Sequence, residues 1–393
     1  MHPRLTPVLL NFALFASVSA AASQALGQTT TAPADDDGPT LVTLQGGRLS
    51  DVLRDLAQQG HCTIDDDGRD LISQRQAALS IDVKEQPFWE AFRQICNQAR
   101  LEPTESFHVP PLPGDSPGLW SHRGLLPGKV LLQEGQDAPN QVPVCVSGAF
   151  YVEAAAARFN IPPRDVQKYH HGPQCTLNLE CWAEPKLRPI AWSIDSVEAA
   201  DDRGQALKPA WVLDRTASMW AEAGDIGMTF NAAAAPGTKI ARLKGHSRVT
   251  ILKKSLVWEI ANVMTAGRSS RVIGGAQIDL APLAREQPGK YRLSAEIHRG
   301  NQSDQEWKQT QLLLDCARPQ LLDAKGRSLD SGVGTMKLVL GGKDDHYSYW
   351  DDFGQTMFVE HKVDPPEKMI WELPVETKQN DLPFEFHDIK LGS

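Results

Sequence analysis

Apolar and polar residues alternate with two periods along this chain, and its first third uses both. Val42 and Leu44 alternate with polar neighbours, as in a half-buried strand. Leu49, Val52, Leu53, Leu56 and Ala57 then follow at i, i+3, i+4, i+7 and i+8. That is the stripe of an amphipathic helix, which Ser50 helps to start and Gly60 stops. Cys62 and Ile64 alternate again. The same order returns with Phe88 standing 39 positions after Leu49. Leu79, Ile81 and Val83 read as a strand, and Pro87 suits a helix start. Phe88, Ala91, Phe92, Ile95, Cys96 and Ala99 form the second stripe. Neither copy buries its apolar face alone. The pattern therefore predicts an α+β unit over residues 41–107 built from two strand–helix–strand repeats. Both helices are expected on one face of a small sheet, with Leu53 and Phe92 in the core.

From about residue 129 the period is two. Leu177, Leu179 and Cys181 share one parity, as do Ile190, Trp192 and Ile194. "SRVTIL" carries Val249 and Ile251, and "SLVWEI" carries Leu256, Trp258 and Ile260. Tyr291, Leu293, Ala295 and Ile297 alternate, then Leu312, Leu314 and Cys316, then Met369, Trp371, Leu373 and Val375. Core filling accounts for Trp192, Trp258 and Trp371. Glu153–Phe159, "EAAAARF", fits a short helix and a strand equally. Short alternating runs between Gly, Pro and Asp turns predict a mainly β remainder of two β-sandwich domains, 129–266 and 268–393. "VEAADDRGQAL" and "PQLLDAKGRSL" echo each other, with Asp201 matching Asp323 and Gly204 matching Gly326. Each reads as an Asp-x-x-Gly turn.

The repeated stretches "RLSDVLRDLAQQGH" and "PFWEAFRQICNQAR" resemble the short N-terminal module of secretins and TonB-dependent receptors. That family's pattern is a strand and an amphipathic helix written twice. Phe88, Trp89 and Phe92 depart from its usual small aliphatic residues, and Ala99 stands where Gly is common. The resemblance implies an exported envelope protein with a docking role and does not imply catalysis. The remainder resembles uncharacterised exported bacterial β-domain proteins.

The N-terminus agrees with export. His2 and Arg4 precede the apolar run "LTPVLLNFALFASVSAAAS". Small residues at Ala25–Gly27 offer a cleavage site, and Ala20 ends a second one. Residues 1–27 therefore read as a signal peptide and 28–40 as a flexible leader. Residues 108–128, rich in Pro and Gly, read as a linker. No transmembrane segment is expected after signal removal. A formal net charge of −9 gives a nucleic-acid role no electrostatic support. Six cysteines are too few to build a disulfide scaffold. Cys62 and Cys96 share the inward side of the repeat unit and form a candidate disulfide.

Candidate chemistry is sparse. "TIDDDGRD" at 63–70 misses the spacing of a calcium loop and reads as a polar turn. His170, His171, Cys175 and Cys181 do not converge as zinc ligands do. No motif of a nucleophile elbow, zincin, dinucleotide fold or phosphate loop occurs, and no cofactor is expected. "KDDHYSYWDD" is the candidate ligand loop. It gathers Asp344, Asp345, His346, Asp351 and Asp352 around Tyr347, Tyr349 and Trp350. The leading expectation is a non-enzymatic exported protein of the cell envelope that meets an envelope protein partner through residues 41–107. The alternatives are a carbohydrate- or calcium-dependent binding protein using the 343–352 loop, and a hydrolase with an unrecognised carboxylate pair.

Overall fold

The computed structural model describes residues 29–31, 37–66, 70–75, 78–104, 128–135, 142–160, 173–213, 223–231, 237–317, 319–326, 328–329, 339–340, 346–354 and 364–392. Within them the protein is mainly β. The elements begin with β1 (Thr29–Thr31), β2 (Leu41–Arg48), α1 (Leu49–Gln59), β3 (Thr63–Asp66), α2 (Leu71–Gln74), β4 (Ala78–Pro87), α3 (Phe88–Ala99), β5 (Leu101–Thr104) and β6 (Lys129–Glu134). They continue with β7 (Val144–Ser147), β8 (Phe150–Asn160), β9 (Gln174–Ala183), β10 (Pro189–Asp201), β11 (Ala206–Leu213), β12 (Ala223–Asn231) and β13 (Lys239–Ala261). The remainder comprises β14 (Ser269–Ile273), β15 (Ala276–Leu280), β16 (Ala284–Gln287), β17 (Lys290–His298), α4 (Asp304–Cys316), β18 (Gln320–Asp323), β19 (Ser328–Leu329), β20 (Val339–Leu340), β21 (His346–Gly354) and β22 (Pro366–Lys390).

The helical stripes lie in α1 and α3, where Leu49, Val52, Leu53 and Leu56 meet Phe88, Phe92, Ile95 and Cys96 in one core. Arg48 caps α1 without a side-chain bond, so Ser50 does not serve as its cap. Gly60 ends it. A Cβ there would stand 2.5 Å from the Phe88 ring, so glycine lets the two helices close. β2 pairs with β4 antiparallel, and Leu44 lies opposite Val83, the residue that the repeat matches to it. The second strands of the two copies, β3 and β5, both pair with β6, one parallel and one antiparallel. β6 was expected to open the first sandwich. It completes the repeat unit instead, because it pairs with both β3 and β5, and Val130, Leu131 and Leu132, buried in succession, show that both its faces are covered. Residues 108–127 of the expected linker lie outside the described residues. Gly128 is tied down, its carbonyl accepting the Thr63 N–H at 2.8 Å.

The repeat unit is docked on the rest of the chain. The Trp89 indole donates to the Ala149 carbonyl at 3.3 Å. Its ring lies 5.5 Å from Tyr151, whose ring lies 5.3 Å from Trp182. Trp89 of the second copy therefore supplies the contact with the β-body. The expected flexible leader is in part ordered against the same body. Thr29–Thr31 pair with Lys254–Leu256 of β13, and Asp37 takes ion pairs from Lys253 and Lys378.

Among the described residues eleven strands share one sheet, with the path β19-β18-β22-β13-β10-β11-β12-β9-β8-β7 and β1 beside β13. The sheet curls until β8 meets the end of β22. The Gly392 N–H donates to Ala157 at 2.8 Å, and the Phe159 N–H donates to Gly392 at 3.5 Å. This curl encloses a core of Phe150, Leu177, Trp192, Phe230, Val249 and Phe386. A second core holds Trp258, Ile278, Leu293, Trp307, Leu314 and Trp371, between the sheet β14-β15-β17-β21-β20 and the far halves of β13 and β22. The two cores thus share strands. A split of the chain at 266/268 into two sandwiches does not describe them, because β13 and β22 pair across that division from Lys239↔Lys390 to Ala261↔Lys368.

"SRVTIL" and "SLVWEI" belong to this one strand. The ladder shifts register between Leu252 and Lys254 and again between Lys254 and Ser255, placing one extra residue, Lys253, on β13 and another, Val375, on β22. One extra residue reverses the alternation, so the apolar phase changes and a single strand reads as two. Val375, expected inside, is 39% exposed at its bulge. "QLLLDC" lies in α4, not a strand. Ser303 accepts the Glu306 N–H, and the Glu306 carboxylate accepts the Ser303 N–H, a capping box that starts a helix. "EAAAARF" is part of β8. Asp201 and Asp323 both make the expected turns, with Gly204 at φ +74 and Gly326 at φ +76. No helix among the described residues is long and apolar enough to cross a membrane.

Candidate functional site

The β14–β15 hairpin turns through Gly274 and Gly275, both at positive φ, and β17 continues the sheet. Apolar residues Ile278, Leu293 and Ile297 point into the second core. The intervening positions form an outward face with cross-strand rows. Ser270 lies opposite Asp279, Asp279 opposite Glu296, and Gln277 opposite His298. Ser270, Asp279, Glu296 and His298, with Arg268, Ser269 and Ser294, line an open cavity of about 490 Å³.

Asp279 is its electrostatic centre. Ser270 and Gln277 hydrogen bonds, with the nearby His298 and Arg268, hold its carboxyl below the usual carboxylate range. Gln277 Nε2 lies 2.9 Å from both carboxylate oxygens, and His298 Nε2 lies 3.4 Å from Oδ2. Glu296 stands directly across the ladder, so two acids share one row. The surface therefore offers acceptors on Asp279 and Glu296 beside donors on Arg268 and the serines, exposed or half-exposed to water.

The expected ligand loop meets this surface by register. His346–Gly354 is strand β21, not a hairpin tip; the alternating Tyr, Ser, Tyr and Trp suit a strand better than the flanking acids suggest a turn. His346 pairs with His298, Ser348 with Glu296, Trp350 with Ser294 and Asp352 with Arg292. Tyr347, Tyr349 and Asp351 pair with Ile297, Ala295 and Leu293. The candidate set is therefore divided between two alternating registers. Asp344 and Asp345 lie outside the described residues. The alternation of Ser294, Glu296 and His298 between apolar neighbours was the available signal for the part of the site that the sequence reading missed.

The other candidates have structural roles or fall outside. No disulfide joins Cys62 to Cys96. Burial pushes the Cys96 thiol far up, with Glu102 adding to it, and Cys62 lies half-buried at the edge of the same core. Cys175 and Cys181 are buried on β9, and burial pushes Cys175 up to about 11. His170 and His171 lie outside the described residues. Asp66 accepts the Ile72 N–H at 2.7 Å, and Asp65 pairs with Lys129 at 2.9 Å.

Two further carboxylates sit where the repeat unit meets the large sheet. Glu184 accepts the Thr40 N–H at 3.0 Å and the Thr40 hydroxyl at 2.6 Å. Burial pushes its carboxyl up against the opposing effects of Thr40 and Lys186. Glu153 accepts the Tyr151 hydroxyl at 3.1 Å, and burial also raises it, with Glu102 contributing. Deeper in the sheet, Arg188 makes a bidentate pair with Glu372 at 2.9 and 3.0 Å. Burial alone would raise Glu372, but Arg188 and a hydrogen bond from Ser255 outweigh it and hold the carboxyl low. These groups brace the fold.

No protein-family model, curated protein or solved structure matches the chain.

Proposed function

We propose that the chain is a non-enzymatic binding protein of the cell envelope, exported by its N-terminal segment, whose ligand surface is the outward face of β14, β15, β17 and β21. In this reading the residues from 41 to 107, with β6, form an α+β module that braces the β-body. The ligand is a carbohydrate. The carrying observation is the set of cross-strand rows on that face, Ser270–Asp279–Glu296 and Gln277–His298, which β21 extends at the register positions of Ser348 and His346. Sugar hydroxyls donate and accept together, and a half-open surface mixing carboxylates, amide, hydroxyls and guanidinium answers both roles. The test is affinity electrophoresis and calorimetry of the full-length mature protein with maltohexaose, cellohexaose and chitohexaose. At least one is expected to bind, and Asp279→Ala with Glu296→Ala is expected to weaken it about tenfold or more without lowering the melting temperature. Binding of none, or binding that the double variant leaves unchanged, refutes the site. Release of new reducing ends would establish the hydrolase reading instead.

A second reading keeps a protein partner at the repeat unit. It is favoured by Leu41, 58% exposed at the start of β2, in a sheet where β2 pairs only with β4 among the described residues. A partner strand added at that edge would gain main-chain hydrogen bonds. Leu41→Lys is expected to leave the fold intact and move the protein from the envelope fraction to the soluble periplasmic fraction. Unchanged fractionation rejects this docking edge.

A further inference from the structure

A separate groove lies between α4, the β14–β15 turn and the bulge of β22, enclosing about 310 Å³. Its floor is apolar, with Ile273, Ile278, Leu313 and the bulged Val375 along it. Its polar rim is one-sided. Glu306 and Glu376 line it, and among the described residues no Lys, Arg or His does. The Ser303 hydrogen bonds that cap α4 hold the Glu306 carboxyl below the usual range, so it is ionised at neutral pH.

Gln302 gives the groove a fixed acceptor. The residue is 9% exposed. Its Nε2 donates to the Gly274 carbonyl at 2.6 Å and to Thr310 Oγ1 at 2.8 Å, and these two bonds fix which way the amide points. Its main-chain carbonyl accepts from Arg299 Nε at 2.7 Å. Its Oε1 is buried with no hydrogen-bond partner. A buried acceptor left unmatched is destabilising, and a donor entering the groove would relieve it. Gln309 Nε2 reaches Thr377 Oγ1 at 3.4 Å and ties helix to strand at the side.

We propose that this groove is a binding site for a small organic cation, a protonated amine carried on an apolar stem. The stem lies along Ile278, Leu313 and Val375. The ammonium is held between Glu376, Glu306 and the Gln302 carbonyl. An ammonium has donors only, which matches a site offering two carboxylates and an unmatched carbonyl. A carboxylate or phosphate ligand would meet repulsion from the same two acids. The bulge makes the site, since the extra residue turns Val375 out of the alternation and into the groove wall.

The experiment is calorimetric titration of the full-length mature protein at neutral pH with n-hexylamine, 1-hexanol and hexanoate. Amide NMR of the Gln302 side chain is the position-specific readout. Hexylammonium is expected to bind about tenfold or more tightly than hexanol, hexanoate least, and the Gln302 amide resonances should shift with the amine alone. Glu376→Gln is expected to lower hexylammonium affinity several-fold with the melting temperature unchanged. Because Glu306 also caps α4, Glu376→Gln is the deciding variant. Equal binding of amine and alcohol, tighter binding of hexanoate, no binding at millimolar amine, or an unaffected Glu376→Gln variant would each overturn the proposal.

Discussion

Replacing Trp89 by alanine tests whether the repeat unit and the large sheet share one core. The indole is fully buried on α3. Its contacts with Phe88 and Phe92 stay within the helix, whereas those with Tyr151 and the Ala149 carbonyl reach β8 and the turn before it. Truncating a buried Trp to Ala costs about 3–5 kcal/mol. One aromatic pair contributes about 0.5–1.5 kcal/mol beyond burial, and one hydrogen bond about 1 kcal/mol. Roughly 1.5–2.5 kcal/mol of the loss should therefore pass through residues 149–151. Urea denaturation of Trp89→Ala, Tyr151→Ala and the double variant isolates this share. The cycle should return a coupling of about 0.5–1.5 kcal/mol, and hydrogen exchange on β8 and β9 should rise in Trp89→Ala. Additivity within about 0.3 kcal/mol, or unfolding of the repeat unit with β8 and β9 still protected, would refute a shared core. Removing residues 41–107 should accordingly expose Tyr151 and Trp182 and destabilise the β-body.

Glu153 and Glu184 have carboxyls raised above their ordinary value of 4.5. The unfolded chain then ionises first, so their contribution to stability is full below that value and is lost as pH climbs through the raised values. Glu153→Gln with Glu184→Gln should flatten this fall in urea midpoints as pH rises above the ordinary value of 4.5; an unchanged slope assigns it to other groups. Arg188→Met leaves Glu372 buried without its partner and should cost about 3–5 kcal/mol, mostly restored by adding Glu372→Leu; denaturant midpoints decide, and a loss under about 1 kcal/mol would mean that water replaces the guanidinium. Gly204→Ala and Gly326→Ala each force a Cβ into the left-handed region and should lower stability by about 1–2 kcal/mol, in equal measure if the two Asp-x-x-Gly turns are equivalent.

Patterns confined to one strand or one helix were readable from the sequence. The stripes from Leu49 and Phe88 and the two Asp-x-x-Gly turns depend on near neighbours, and each element lies where its period put it. Most of what failed depended on partners distant in the chain. The bulges at Lys253 and Val375 exist only as a mismatch between two strands, so the break in phase looked like the end of one strand. β6 joins the repeat unit because β3 and β5 leave a slot between them. The charges of 343–352 suggested a turn, while the ladder with β17 makes 346–354 a strand. The Ser303–Glu306 capping box was legible and was overlooked because Leu312 and Leu314 also fit an alternation. Glu296 and His298 were visible as outward positions, but nothing local could reveal that Asp279 and Arg268 stand beside them.

β22 has a temporal consequence. It pairs along β13 through both cores, and Gly392 just beyond it closes the curl against β8. Neither core can close until residues 366–392 have emerged from the ribosome, although β13 is made more than a hundred residues earlier. Contacts of such long sequence separation form slowly, because a large loop must close before they yield any stabilisation. During synthesis the faces of β13 therefore wait without β22, with only β10 beside them from the earlier part of the large sheet, and closure of both cores is deferred until that distant strand has been made.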